Sequence, residues 1–186
     1  MTALRILIVV ALQTAALAYM IVDRTSILRS TTVVTLKVKP VDPSDMFRGD
    51  YVILNYDISN IDTATLPGDD AYMHGGWAYV TLANQNGVWT PTTVNNAMPA
   101  HTPDTVVLRG LVDSSSTFAG TGTPMSLRLT YGIESFFVPQ GQGKTIEAER
   151  QKGDLTADIA IDAQGRGALK SLRRADGDVL YTESLF

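Results

Sequence analysis

Apolar residues run almost without a break from Ala3 to Val22, with Arg5 the one charge among them. Twenty helical residues rise about 30 Å, the thickness of a bilayer's hydrocarbon core, so the run predicts a membrane-spanning helix within residues 1–24. Beyond Ile27 the pattern changes to a period of two. Thr32, Val34, Leu36 and Val38 alternate with Val33, Thr35, Lys37 and Lys39, the signature of a half-buried strand that Pro40 and Pro43 bring to an end. The same alternation returns after the Arg48-Gly49-Asp50 turn. There Val52, Leu54, Tyr56 and Ile58 face one way, and Tyr51, Ile53, Asn55 and Asp57 the other.

Further strands are expected at Trp77–Ala83, Val88–Val94 and Thr105–Val112, with a long one from Leu127 to Val138 that carries Gly132 as a bulge or close-approach signal. Asn86-Gly87 marks a hairpin turn, and Pro91 places the return strand at a sheet edge. Residues 59–75 and 113–124, rich in Gly, Pro, Ser, Thr and Asp, read as loops. Thr145–Lys152 is the one short soluble helix, with Thr145 as cap and Gly153 as stop. Short strands at Ala157–Ile161, Ala168–Leu172 and Val179–Tyr181 complete the chain. The predicted class is mainly β: one antiparallel-rich domain, barrel- or sandwich-like, over residues 25–186, behind an N-terminal transmembrane helix.

Arg5 and the amino terminus precede the span, and Asp23 and Arg24 after it cancel. The positive-inside rule then puts the N-terminus in the cytoplasm and the β domain outside it. Two rival readings of the span stay open. Ala16-Leu17-Ala18 resembles a signal-peptidase site, although the apolar run continues through Tyr19-Met20-Ile21-Val22. The other alternative is a buried helix of a soluble protein, although Arg24 and Arg29 follow without amphipathic spacing.

Composition narrows the chemistry. The chain has 186 residues, 45% of them hydrophobic, and a net charge of −4, enough for one cored domain plus an anchor and with no basic footprint for nucleic acid. The absence of cysteine excludes disulfides, thiolate metal sites and cysteine nucleophiles. His74 and His101 sit in loop text without metal-ligand spacing, so no metal and no cofactor is expected.

Two blocks carry a resemblance. Gly49, Asp50, Tyr51, Leu54 and Tyr56 fill every named position of the pattern Gly-Asp-Tyr-x-x-Leu-x-Tyr, and Tyr131-Gly132-Ile133-Glu134-Ser135-Phe136-Phe137-Val138-Pro139 leads into a glycine-rich exit. Together with the leading apolar segment they resemble the GDYXXLXY family of bacterial membrane-anchored proteins. The resemblance implies an inner-membrane anchor, an extracytoplasmic or periplasmic β domain, and a multi-pass membrane protein as partner. It implies no activity.

Candidate chemistry centres on the same blocks. A Gly-Asp turn before an apolar strand also resembles the signal-peptidase fold. Yet Ser44 stands after Pro43 rather than before a proline, and Lys144 lies in a glycine-rich loop, so a Ser–Lys dyad is not promised. Asp42, Asp45, Asp50 and Asp57 cluster by sequence, but an acid pair needs a separation of roughly 5 to 9.5 Å that sequence cannot supply. Glu134 shares a strand face with Phe136 and needs a partner, for which Arg48 or Arg109 is proposed. If Arg48, Asp50, Tyr51, Tyr56, Tyr131 and Glu134 converge, they form a recognition patch. The expected function is a membrane-anchored binding or interaction module of the bacterial envelope without a recognisable catalytic set. The alternatives are an extracytoplasmic hydrolase using Ser44, Asp50 or Glu134, and a binder of small ligands.

Overall fold

The computed structural model describes residues 2–40, 51–69, 71–100, 102–117, 124–137, 146, 148–149, 152–153, 155–174 and 176–183. One helix, α1 (Thr2–Leu28), precedes twelve described strands. They are β1 (Val33–Lys39), β2 (Tyr51–Ile53), β3 (Asn55–Tyr56), β4 (Asn60–Asp62), β5 (Trp77–Gln85), β6 (Val88–Asn95), β7 (Thr105–Thr117), β8 (Pro124–Thr130), β9 (Ser135–Phe137), β10 (Leu155–Ile161), β11 (Gly167–Arg174) and β12 (Val179–Thr182). Two five-stranded sheets result, β12-β11-β10-β1-β3 and β4-β8-β7-β5-β6, and β2 pairs with β9. Each described strand pairing is antiparallel.

Alternation decides which faces meet. Val34, Leu36 and Val38 of β1 join Ile159 of β10, Leu172 of β11, Val80 and Leu82 of β5, Leu108 of β7 and Leu127 of β8 in one apolar core. The β5–β6 hairpin forms as expected. Asn86 and Gly87 both take positive φ, +56° and +91°, which the two central positions of a primed turn require. Pro91 lies in β6, an edge strand of its sheet, where a missing N–H is tolerated. Ile146, Ala148, Glu149 and Lys152 are helical and Gly153 takes φ +79°, as the expected short helix and its stop demand. Its cap, Thr145, lies outside the described residues.

Three expectations about strands are corrected. Residues 51–58 are not one strand. They form β2 and β3, then a 3₁₀ turn at Asp57–Ser59, and β4 follows inside the stretch read as loop. These pieces pair in turn with β9, β1 and β8, so the segment crosses from one sheet to the other. The inward set Val52, Leu54, Tyr56 and Ile58 nevertheless stays buried throughout. The long strand from Leu127 also breaks, at residues 131–134, where Gly132 takes φ +77° and turns the chain out of β8. Conversely, β7 runs on through Ser114 and Ser115, because its pairing with β8 needs only backbone groups and absorbs bulges there.

Helix α1 is long and apolar enough to cross a membrane over Ala3–Leu28, and residues 3–22 are exposed along its whole length. They contribute nothing to the β core, which removes the core-helix reading. The helix does not stop at residue 24. Its last turn continues to Leu28, and Ile27 and Leu28 pack on Ala168 of β11. At 1.5 Å per residue the helix is about 40 Å long, so its lower end seats on the head while the apolar run stands clear of it.

On the outer face of the first sheet, Asp158 ties three strands together. Its carboxylate accepts from Thr35 Oγ1 at 2.8 Å, Ser171 Oγ at 2.7 Å and Arg173 Nε at 2.6 Å. Burial alone pushes this carboxyl up, but the hydrogen bonds from Ser171, Arg173 and Thr35 outweigh it and hold the group below the ordinary carboxylate range. A depressed folded value means stability that is present above the unfolded value of about 3.9 and is lost as pH falls through the folded one. We predict that Asp158→Asn costs about 1–3 kcal/mol at pH 7 in urea unfolding of the detergent-solubilised chain, and that the cost shrinks below about pH 4. A cost that does not change with pH would count against the charged network.

Gly110 of β7 supplies a second test. A Cβ there would lie 2.9 Å from the ring of Tyr131 and 3.2 Å from Leu129 Cβ. Gly110→Ala is expected to cost about 1–3 kcal/mol by overpacking, read in the same unfolding experiment.

Candidate functional site

The two sequence blocks do meet, as a corner inside the head. Tyr56 enters from the strand-to-turn junction of the first block and Tyr131 from the break after β8. Their hydroxyls cross. Tyr56 Oη donates to the carbonyl of Ile133 at 2.8 Å, and Tyr131 Oη donates to the carbonyl of Ile58 at 2.7 Å. Leu54 N adds a bond to the carbonyl of Glu134 at 2.6 Å. Each tyrosine therefore satisfies a backbone acceptor that a broken strand would leave unpaired in the core. Burial pushes both phenols well above their ordinary pKa, and the neighbouring Glu134 carboxylate adds to the rise.

Glu134 does not sit in a strand and does not make the expected ion pair with Arg109. Its carboxylate turns back on its own loop. It accepts from the N–H groups of Tyr131 at 2.6 Å, Gly132 at 2.8 Å and Ile133 at 3.0 Å. Three successive backbone N–H groups form a concave anion nest, and the positive φ of Gly132 permits it. The protein fills this nest with its own carboxylate.

Of the proposed recognition patch, then, Tyr56 and Tyr131 are buried in the core and present no hydroxyl to a ligand. Leu54 is equally a core residue. Tyr51 belongs to β2, opposite Phe137. Arg48, Gly49 and Asp50, with Ser44 and Lys144 of the alternative reading, lie outside the described residues, as do Asp42, Asp45 and His101. Asp57 faces solvent and meets Lys39 at 3.4 Å. His74 is exposed, with Nδ1 2.6 Å from the carbonyl of Asp113. No group of three or more metal-ligating side chains occurs among the described residues.

The corner has an outer consequence that the sequence did not suggest. Because Gly132 turns the chain away, β8 stops beside Leu111 and leaves the next stretch of β7 uncovered. The turn between β10 and β11 fills the place: Arg109 N donates to the carbonyl of Gly165 at 2.7 Å, and Gly165 takes φ +76° to approach so closely. From that turn Arg166 reaches the base of α1. Its Nη1 lies 2.9 Å from both carboxylate oxygens of Asp23, while Nε donates to Asp162 at 2.7 Å. Asp162 first, and Asp23 after it, hold this guanidinium's pKa above its ordinary value. Arg24 Nη1 donates to the carbonyl of Gly167 at 3.3 Å.

Between the helix base and the second sheet lies a cleft of about 400 Å³. The helix contributes Asp23, Arg24 and Ile27, the sheet Trp77 and Arg109, and the corner Tyr131 and Gly132. Register places the guanidinium of Arg109 over Trp77, 4.2 Å from the ring centroid, because Tyr79 opposes Arg109 and Trp77 is its diagonal neighbour. Trp77 is 49% exposed, although its ring is large and apolar. Sequence reasoning had Arg109 only as a partner for Glu134, and took Trp77 only as the start of a strand. The one signal present was an arginine and a tryptophan in a chain with a membrane span.

A double-mutant cycle tests the crossed tyrosines. Tyr56→Phe and Tyr131→Phe should each cost about 1–2 kcal/mol in urea unfolding of the full chain in detergent, since each leaves a buried carbonyl unpaired. Because both bonds close the same corner, the pair should deviate from additivity by at least about 0.5 kcal/mol. Strict additivity would mean that the two bonds act independently.

Neither the curated proteins nor the solved structures yield a match. The family model described as GDYXXLXY protein matches residues 13–172, from the middle of the helix to β11, and takes in both blocks of the corner. The chain belongs to the GDYXXLXY family.

Proposed function

We propose that the protein is a membrane-tethered interaction module of the bacterial envelope. In this reading α1 spans the inner membrane once, the β head stands on the extracytoplasmic side, and the head acts with a partner membrane protein. The observation that carries the reading is the continuity of α1. An exposed apolar helix runs without a linker into a last turn that packs on β11 and is pinned by Asp23 and Arg166. A cleaved leader has no need of such a seat. The motif's polar groups support a structural role for the corner, since the hydroxyls of Tyr56 and Tyr131 and both oxygens of Glu134 are taken up by the chain's own backbone. Where the hydrolase alternative uses Glu134 it needs a free acid or base, and that carboxylate is already held by three N–H groups; its other candidates, Ser44 and Asp50, lie outside the described residues.

The absence of native cysteine makes the topology easy to read. Gln85→Cys lies on the exposed β5–β6 hairpin. It should react with a membrane-impermeant maleimide in intact cells that have a permeable outer layer, and the labelled protein should fractionate with membranes. Labelling only after lysis would place the head in the cytoplasm. The full chain, extracted in mild detergent, should retain a multi-pass membrane protein. A chain that elutes alone after crosslinking in membranes would remove the partner from the reading.

A further inference from the structure

We propose that the cleft at the base of α1 binds the phosphate of an anionic phospholipid from the leaflet next to the head. The inference rests on the tethered reading above and adds a ligand to it. Position comes first. The apolar run ends at Val22, and the helical residues of the cleft, Asp23, Arg24 and Ile27, follow within about 8 Å of rise. A bilayer's polar layer is about 5–7 Å deep on each side of the hydrocarbon. The seated helix therefore holds the mouth of the cleft at headgroup depth.

Charge comes second. Arg24, Arg109 and Arg166 all line the cleft. Arg166 is neutralised by Asp23 and Asp162. Arg24 donates only to a carbonyl, and Arg109 stacks on Trp77, so neither is paired with a carboxylate among the described residues. Asp23, the carboxylate on the lining, is engaged by both of its oxygens with Arg166. Two unneutralised guanidiniums converging on one concavity suit a phosphate, whose oxygens match their planar fork.

Apolar surface comes third, and it separates a lipid from a free anion. Trp77 and Leu111 on the lining are 49% and 37% exposed. An amphipathic aromatic beside a cation at this depth is the arrangement that tryptophans adopt at membrane interfaces. A soluble phosphate has no use for that apolar wall, whereas a phospholipid brings glycerol and the start of its acyl chains to it.

The test uses the full-length chain carrying Trp89→Phe, which leaves Trp77 as its single tryptophan. It is incorporated in phosphatidylcholine nanodiscs with a rising fraction of phosphatidylglycerol. Trp77 emission should shift saturably with phosphatidylglycerol, and Arg24→Gln with Arg109→Gln should raise the fraction needed by about 30-fold. Arg24→Lys with Arg109→Lys keeps the charge but loses the planar fork and the stacking on Trp77, so its response should fall between those of the wild type and the glutamine variant. An unchanged thermal unfolding midpoint confirms that both variants fold. Inorganic phosphate added to pure phosphatidylcholine discs should produce no saturable shift. If it saturates as phosphatidylglycerol does, the site takes a free anion and the lipid assignment falls. Normal incorporation with no dependence on phosphatidylglycerol also overturns the assignment and leaves the tether standing. Failure to incorporate overturns the tether and the lipid site with it. If the glutamine variant keeps its lipid response but loses a co-purifying membrane protein, the cleft is a protein-docking surface instead.

Discussion

The head depends on one exchange of hydrogen bonds. Tyr56 and Tyr131 each pass a hydroxyl into the backbone of the other's segment, at a place where both strands have left their sheets. A two-sheet core must have corners, and a corner exposes carbonyls that no ladder partner reaches. A buried unsatisfied carbonyl costs on the order of 1–3 kcal/mol, comparable to what a well-buried aliphatic side chain contributes. Tyrosine solves the problem because its ring belongs in the core and its hydroxyl extends to a polar partner. Glu134 solves the complementary problem for donors, gathering three N–H groups that the turn at Gly132 leaves pointing one way.

That corner sets the course of what surrounds it. The chain's departure at Gly132 ends β8, the β10–β11 turn moves in beside Arg109, and Arg166 on that turn reaches the end of α1. The connection from motif to helix is thus a series of neighbouring backbone and side-chain contacts. Gly110 belongs to the same series, since its missing side chain leaves room for the Tyr131 ring. The motif shapes a helix seat that it does not itself touch through its polar groups.

A helix that seats directly on its head differs mechanically from one joined by a flexible linker. Ile27 and Leu28 bury against Ala168, and Asp23 pairs with Arg166, so the last turn of α1 and the first sheet move together. A linker of even a few flexible residues would let the head sample many orientations. Here the surface that carries Trp77 and Arg109 is joined to the helix end through the β10–β11 turn, with Gly165 on Arg109 and Arg166 on Asp23.

Local chemistry along the chain was enough for the elements that depend on near neighbours. The apolar run of α1, the alternation of β1 and of Val52, Leu54, Tyr56 and Ile58, the Asn86-Gly87 turn and the stop at Gly153 all follow from local chemistry, and each stands where that chemistry puts it. Burial of the motif's leucine and second tyrosine was legible for the same reason. Strand breaks were not, because alternation continues across them: Tyr131 and Ile133 keep the inward phase of Leu127 and Leu129 although β8 has already ended. Nor could a period show that Glu134 would find its partners one to three residues back along its own chain, rather than in an arginine on another strand. The cleft was least visible of all. Asp23, Trp77, Arg109 and Arg166 are scattered over more than 140 positions and meet only through strand register and the docking of one hairpin turn. Such relations arise from how sheets pack, and they leave no mark on the residues beside them in the chain.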